Sequence, residues 1–358
     1  MGKNTKEISR IKQYNEMQLL SKYRTQIMGF AALWILIFHV WRPIWYGHKF
    51  LFQLEKFIKI IGYYGVDIFF FLSGIGLTYS INKTNTCKFY YKRIKRIILP
   101  FLIIASILKI FNNWTMLEFI KRITFYSFYT ESIYRLLWFI PAIVTLYTFF
   151  PLYYKVFKKI LHKTIFTTAI ILIISFILVV FRKWIRPDLY GFINRIPIFI
   201  LGILLGWKEQ NKEITYNKNR YITYMFMLVF GLVIAYFIKM EGWYFLNKKF
   251  DVFLPNAFVA ISISFLFAKM LESISNYKIG KLIINSLNYM GIMSLELYCA
   301  QEVFLSIRYK FSGIKNNFIT NIIIFVVVFL LATILYIINR YFWILIEKIY
   351  NWIKKGKK

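Results

Sequence analysis

The stretch Ile27–Trp41, IMGFAALWILIFHVW, is apolar throughout except for one ionisable side chain, His39, near its far end. At 1.5 Å rise per residue this run with its flank to Trp45 extends roughly 28 Å as a helix, about one hydrocarbon core. It therefore reads as a membrane-spanning helix, and that reading sets the solvent for the rest of the chain. An imidazole at such a depth is costly, because desolvation penalises its charged form and lipid offers no partner. His39 is the first functional candidate; the bland alternative is a hydrogen-bonded packing residue.

Working outward, the composition agrees with a membrane solvent. Of 358 residues, 59% are hydrophobic and 21% aromatic, and the mean hydropathy of +0.55 excludes an ordinary soluble domain. The net charge of +32 would suggest nucleic acid in a soluble protein. Here the Lys and Arg sit in the connections between apolar runs, so membrane lipid is the expected partner and nucleic acid is not. Cys87 lies in a basic connection and Cys299 in an apolar run, which argues against a disulfide, and no metal-ligand spacing occurs.

The expected fold class is an all-α membrane protein, a polytopic bundle of about ten transmembrane helices with both termini cytoplasmic. Residues 1–24 form a basic cytoplasmic segment without the pattern of a signal peptide, 25–347 the transmembrane domain, and 348–358 a basic tail. After the first span come Gly65–Ile81, Ile97–Phe111, Leu136–Phe157, Ile165–Phe181, Tyr190–Trp207, Tyr221–Ile238, Val252–Leu271, Leu282–Ile307 and Phe318–Leu345. With the amino terminus inside, the inner connections carry most of the Lys and Arg, as the positive-inside rule requires. The many Phe and Tyr are expected to be mainly lipid-facing bulk.

This topology predicts depths. His39, Asp67, Arg195 and Trp138 fall in the outer third, and Glu296 and Gln301 on the rising ninth span approach that level. A carboxylate, an imidazole and a guanidinium at one depth would make an interior reaction chamber. Each also has a bland reading: Asp67 can favour a helix amino terminus, Arg195 can snorkel, and Trp138 can belong to the interfacial aromatic belt. The LSGIG segment, Leu72–Gly76, reads as small residues that let helices approach rather than as a phosphate loop. No GxSxG, Walker, HExxH or Cys/His cluster occurs.

Taken together, His39 at the end of a first span, GYYGVDIFFFLSGIGL (Gly62–Leu77) and FYYKRIKRIILP (Phe89–Pro100) resemble the integral-membrane acyltransferase family 3. LWFIPAIVTLYTFFP (Leu137–Pro151), RIPIFILGILLG (Arg195–Gly206) and MGIMSLELY (Met290–Tyr298) extend the likeness in the same order over nearly the whole chain. The resemblance implies an enzyme that O-acylates extracytoplasmic sugars, commonly with acetyl groups from acetyl-CoA as co-substrate and with no permanently bound cofactor. It implies that His39 is the essential first-span histidine, that Asp67, Phe69, Phe70, Ser73 and Gly74 form the second-span motif, and that Arg93 and Arg96 are the basic pair at the cytoplasmic mouth of span three. The chain departs from the family at Met28, where an Arg is frequent and Arg24 lies one turn earlier, and at Leu136 and Gln301, where His is frequent. It implies the stand-alone form, without an appended esterase-like domain, in a bacterial-type plasma membrane.

The expected mechanism places the phosphates of acyl-CoA on Arg93, Arg96, Lys92 and Lys95, and threads the thioester inward between helices. Neutral His39 acts as general base on a sugar hydroxyl, or itself accepts the acetyl group. Asp67 orients the ring or stabilises imidazolium, with Arg195, Trp138, Ser73, Glu296, Gln301 and Arg24 as further contacts. The acceptor is a glycan or lipid-linked saccharide, and the oligomeric state is not readable. The competing class is a multi-span transporter, flippase or polymerase of lipid-linked saccharides, against which stands the lack of an internal repeat.

Overall fold

The computed structural model describes residues 14–131, 137–181, 183–215, 217–241, 244–245, 248–249, 253–307 and 316–355. Leu136 and the first thirteen residues of the basic amino-terminal segment lie outside the described residues. The chain is an all-α membrane protein. Its helices are α1 (Glu16–Lys22), α2 (Arg24–Val40), α3 (Lys49–Ile60), α4 (Tyr64–Ile81), α5 (Thr86–Phe111), α6 (Met116–Ile123), α7 (Tyr126–Thr130), α8 (Phe139–Lys159), α9 (Lys163–Val180), α10 (Pro187–Ile193), α11 (Ile196–Gln210), α12 (Asn219–Lys239), α13 (Phe253–Ile274), α14 (Lys278–Ile292), α15 (Ser294–Ile307) and α16 (Asn317–Lys355). Tyr244–Phe245 and Lys248–Lys249 pair as a two-residue antiparallel ladder.

Seven of the described helical segments are long and apolar enough to cross a membrane, and eight if α1 and α2, bent by 69°, count as one span. The sequence reading of ten differs by two segments. The first half of α5 is loaded with Lys88, Lys92, Arg93, Lys95 and Arg96, and the run read as the ninth span is interrupted at Met293 between α14 and α15. The connection after α2 also holds an amphipathic helix, α3. It buries none of its residues, and Phe50, Leu54 and Ile58 recur along one exposed stripe. That pattern suits a helix lying in the membrane interface.

The chain folds around α4, whose residues from Tyr64 to Ile75 are all buried. α2 packs antiparallel to it: a Cβ at Gly62 would meet Trp34 and Phe38, and one at Gly65 would meet Ala31 and Ile35. α11 runs parallel to α4 at backbone contact. A Cβ on Gly74 would collide with the Phe199 carbonyl oxygen, and one on Gly202 with that of Phe71. The LSGIG segment thus acts as a packing surface, as its small residues suggest. Gly74→Val is expected to destabilise the bundle by about 1–3 kcal/mol through overpacking; a melting temperature in detergent equal to that of the parent would contradict this.

Lipid-facing positions concentrate on α9, α12 and α16, where Ile165, Leu172, Phe176, Phe226, Val229, Leu330 and Ile334 are exposed. The aromatics do not follow the expected rule. Tyr64, Phe70, Phe71, Phe89, Phe150, Tyr154, Phe157 and Phe265 are almost wholly buried, and Phe89, Phe150 and Tyr154 stack in series at 5.7 and 5.4 Å. Flat rings fill the gaps between helices that do not interlock closely. Cys87 is exposed and Cys299 buried, both free.

Candidate active site

Because α4 and α11 are parallel and in register, Arg195, the residue that opens α11, is set beside Asp67 in the first turn of α4. The guanidinium Nη2 lies 3.4 Å from the Asp67 Oδ2, with both side chains buried. Arg195 also donates through Nη1 to the Gly191 carbonyl at 2.8 Å and lies 5.1 Å from the Trp138 ring centroid. Burial turns Arg195 inward, so the snorkelling alternative is not the one adopted, and Trp138 faces a cation rather than the membrane interface alone. Three of the residues expected at one depth do meet.

His39 sits in the last turn of α2, half-buried, its ring centroid 4.9 Å from that of Phe38 in an edge contact. Since Gly62 and Gly65 pair with the Trp34–Phe38 and Ala31–Ile35 turns, Asp67 lies about two turns deeper than His39, roughly 10 Å along the axis. On each helix Cβ tilts toward the amino terminus, so the imidazole leans inward and the carboxylate outward. Asp67 forms an ion pair with Arg195, and the imidazole and the carboxylate lean toward each other along the helix axes.

A cavity of about 440 Å³ reaches Phe38, the neighbour of His39 on α2, and is lined also by Tyr63, Trp138, Asn194, Arg195 and Lys239 among others. Asn256 and Asp188 also reach it. Its mix of rings, amides and charges offers stacking and hydrogen bonds to a polyol. A second cavity of about 260 Å³ approaches from the basic end, between α2, α4, α5, α8 and α15, from Lys92, Arg93 and Arg96 past Ser73 and Tyr147 to Ile35, Val66 and Phe139. The two cavities lie on either side of one chain segment, Phe139 lining the inner one and the adjacent Trp138 the outer one. At this seam Phe139 packs against Phe69, Phe70 and Tyr298, and its amide donates to the Tyr298 hydroxyl at 3.3 Å.

The basic quartet divides. Lys92, Arg93 and Arg96 line the inner cavity, whereas Lys95 turns away to Glu347 at 2.6 Å on α16. Arg93 lies 4.0 Å from the Phe89 ring centroid and donates to the Phe89 carbonyl at 3.0 Å. Arg96 does more than was expected. Its Nη2 donates to the Ile292 carbonyl at 2.6 Å, satisfying an oxygen freed where α14 ends, and lies 3.6 Å from the fully buried Glu296. Glu296 therefore pairs with Arg96, itself in the wall of the inner cavity, and not with the Asp67–Arg195 pair. Gln301 is buried on α15, its amide nitrogen without a hydrogen-bond partner among the described residues. Arg24 donates through Nε to the Leu72 carbonyl at 3.3 Å, while Met28 lines the inner cavity.

Sequence reasoning missed Tyr147 and Tyr298 of the inner cavity and Asp188, Asn194, Lys239 and Asn256 of the outer one. Asn194 and Arg195 are adjacent, so the polar pair opening α11 was a usable signal; a lone Tyr in an aromatic-rich span was not. No group of three His, Cys, Asp or Glu side chains able to hold a metal occurs among the described residues.

A family model described as an acyltransferase domain, acyltransferase family 3, matches residues 27–338. The chain belongs to that family. Comparison with curated proteins and with solved structures gives no match. The acyltransferase model runs from the base of α2 into the second half of α16, so both cavities and the Asp67–Arg195 pair fall inside it. The chain is a multi-pass membrane acyltransferase, which answers the choice between enzyme and transporter left open by composition.

Proposed function

We propose that this acyltransferase moves an acetyl or other short acyl group from acyl-CoA, taken up at the basic, cytoplasmic end, to a hydroxyl of an extracytoplasmic or lipid-linked glycan. The setting is a bacterial-type plasma membrane. The supporting observation is the pair of cavities on either side of the adjacent residues Trp138 and Phe139, a smaller one bordered by Lys92, Arg93 and Arg96 and a larger one lined by Arg195, each nearer to a different end of the bundle. Phosphates of the donor engage Lys92 and Arg93, and Arg96 where it is not held by Glu296. The arm lies in the inner cavity and carries the thioester to the seam.

There the acceptor hydroxyl attacks the thioester carbonyl while His39 takes its proton. A carbon–oxygen bond forms, the carbon–sulfur bond breaks, and the imidazolium returns the proton to the departing thiolate. Arg195, fixed by Asp67 and Gly191, provides positive charge near the developing oxyanion, and Trp138 supplies a face for the sugar. Ser73 contributes a hydroxyl to the wall of the inner cavity.

The direct test is purified protein in detergent with radiolabelled acetyl-CoA: label should pass to a surface-glycan fraction or be released slowly as acetate. Neither product in the presence of acceptor would overturn the reading. Arg93→Glu is expected to raise the KM for acetyl-CoA at least about ten-fold, the equivalent of one lost charge-assisted contact. An unchanged KM would remove the cations from donor binding.

A further inference from the structure

The inner cavity, at about 260 Å³ and largely apolar, suits a slender arm better than a nucleotide. A larger basin of about 600 Å³ lies beyond its basic end. It is lined by Gln18 and Ser21 of α1, Arg24 of α2, Tyr79 of α4, Lys83 just after α4, and Gln210 of α11. Glu209 also reaches it, but that carboxylate accepts from the Asn15 Nδ2 at 3.3 and 3.4 Å. Gln210 is fixed as well, donating to the Thr78 carbonyl and accepting from Asn82.

Basin and inner cavity are successive stretches of one trough between α2 and α4. Arg24 and Met28, one helical turn apart on the same face, line the basin and the cavity respectively, as do Gly76 and Ser73 on α4. Arg24 stands at the join. A Cβ at position 76 would lie 2.5 Å from its Nη2, so the glycine is what leaves room for the guanidinium. Its Nε bonds the Leu72 carbonyl, and no carboxylate pairs with it among the described residues. Arg93 lines the inner cavity on the other side of the join. Two guanidiniums bordering one trough, neither in an ion pair among the described residues, favour an anion there.

We propose that this basin takes the nucleotide end of the donor, a purine nucleoside carrying phosphates, with the diphosphate between Arg24 and Arg93. The base lies over Tyr79 beside Gln18, whose amide nitrogen is available for it, and Lys83 on the exposed rim meets a further phosphate. The arm then runs past Met28 and Ser73 toward the seam. This inference rests on acyl-CoA being the donor and adds where its head is held.

The test uses the full chain in detergent, with adenosine 3′,5′-bisphosphate as the probe in calorimetry and with acetyl-CoA and acetyl-pantetheine, which lacks the nucleotide, as alternative donors. Lys83→Glu and Ser21→Glu, both at exposed positions, should weaken bisphosphate binding at least ten-fold. They should also shrink the KM advantage of acetyl-CoA over acetyl-pantetheine by the same factor. Unchanged binding and an unchanged KM ratio in both variants, with acetyl transfer intact in the parent, would overturn the basin while leaving the proposed function standing. Bisphosphate binding that the two variants weaken, in a parent that transfers no acyl group, would uphold the basin and overturn the function. Binding displaced by anionic lipid vesicles and insensitive to both variants would assign the cations to lipid headgroups and overturn the basin.

Discussion

Replacement of His39 by Ala is expected to lower acyl transfer by about 10³-fold, the middle of the range for loss of a general base, with insertion and folding intact. The side chain is half-buried at the end of α2, and one of its contacts is an edge against Phe38. Truncation there removes little apolar burial, so a fall in activity reports chemistry. The check is turnover with labelled acetyl-CoA alongside a melting curve in detergent. Full activity in the variant would sink the base assignment, and trapping of an acetylated His39 in the parent would replace it by the acyl-histidine route.

The second large effect is expected at Asp67. Asp67→Ala leaves the buried Arg195 guanidinium without its carboxylate, 3.4 Å away in the parent. Removing one partner of a buried pair costs about 3–5 kcal/mol, because the other charge stays desolvated. The variant should therefore melt well below the parent and lose transfer. Asp67→Ala combined with Arg195→Met removes both charges and should recover most of the stability but none of the activity. That split separates a structural from a chemical role: equal melting of the single variant and the parent would show that the pair carries no stability, and activity in the double variant would exclude Arg195 from the reaction.

Much of the frame was legible in the chain. The apolar runs mark where helices lie because a segment crossing lipid must satisfy its own backbone, and only a helix does so within one segment. The two runs that resist that criterion are informative. α5 carries the cations of the inner cavity in its first half, and the α14–α15 break frees the Ile292 carbonyl that Arg96 holds. Composition could not show which aromatics face inward, since lipid and protein interior are about equally apolar to a Phe. α3 was legible in its Phe50–Leu54–Ile58 spacing but too short to register by span length.

The sequence by itself determined the solvent, the helical class, the family and the presence of His39, Asp67 and Arg195 near helix ends. Only the tertiary structure decided which of them meet. Spacing along one helix is covalent, but the rotation and register of helices more than a hundred residues apart are set by side-chain contacts and by glycines such as Gly74 and Gly202, where backbones touch. That register gives Asp67 to Arg195, Arg96 to Glu296 and Lys95 to Glu347. It also sets His39 about two turns above the carboxylate.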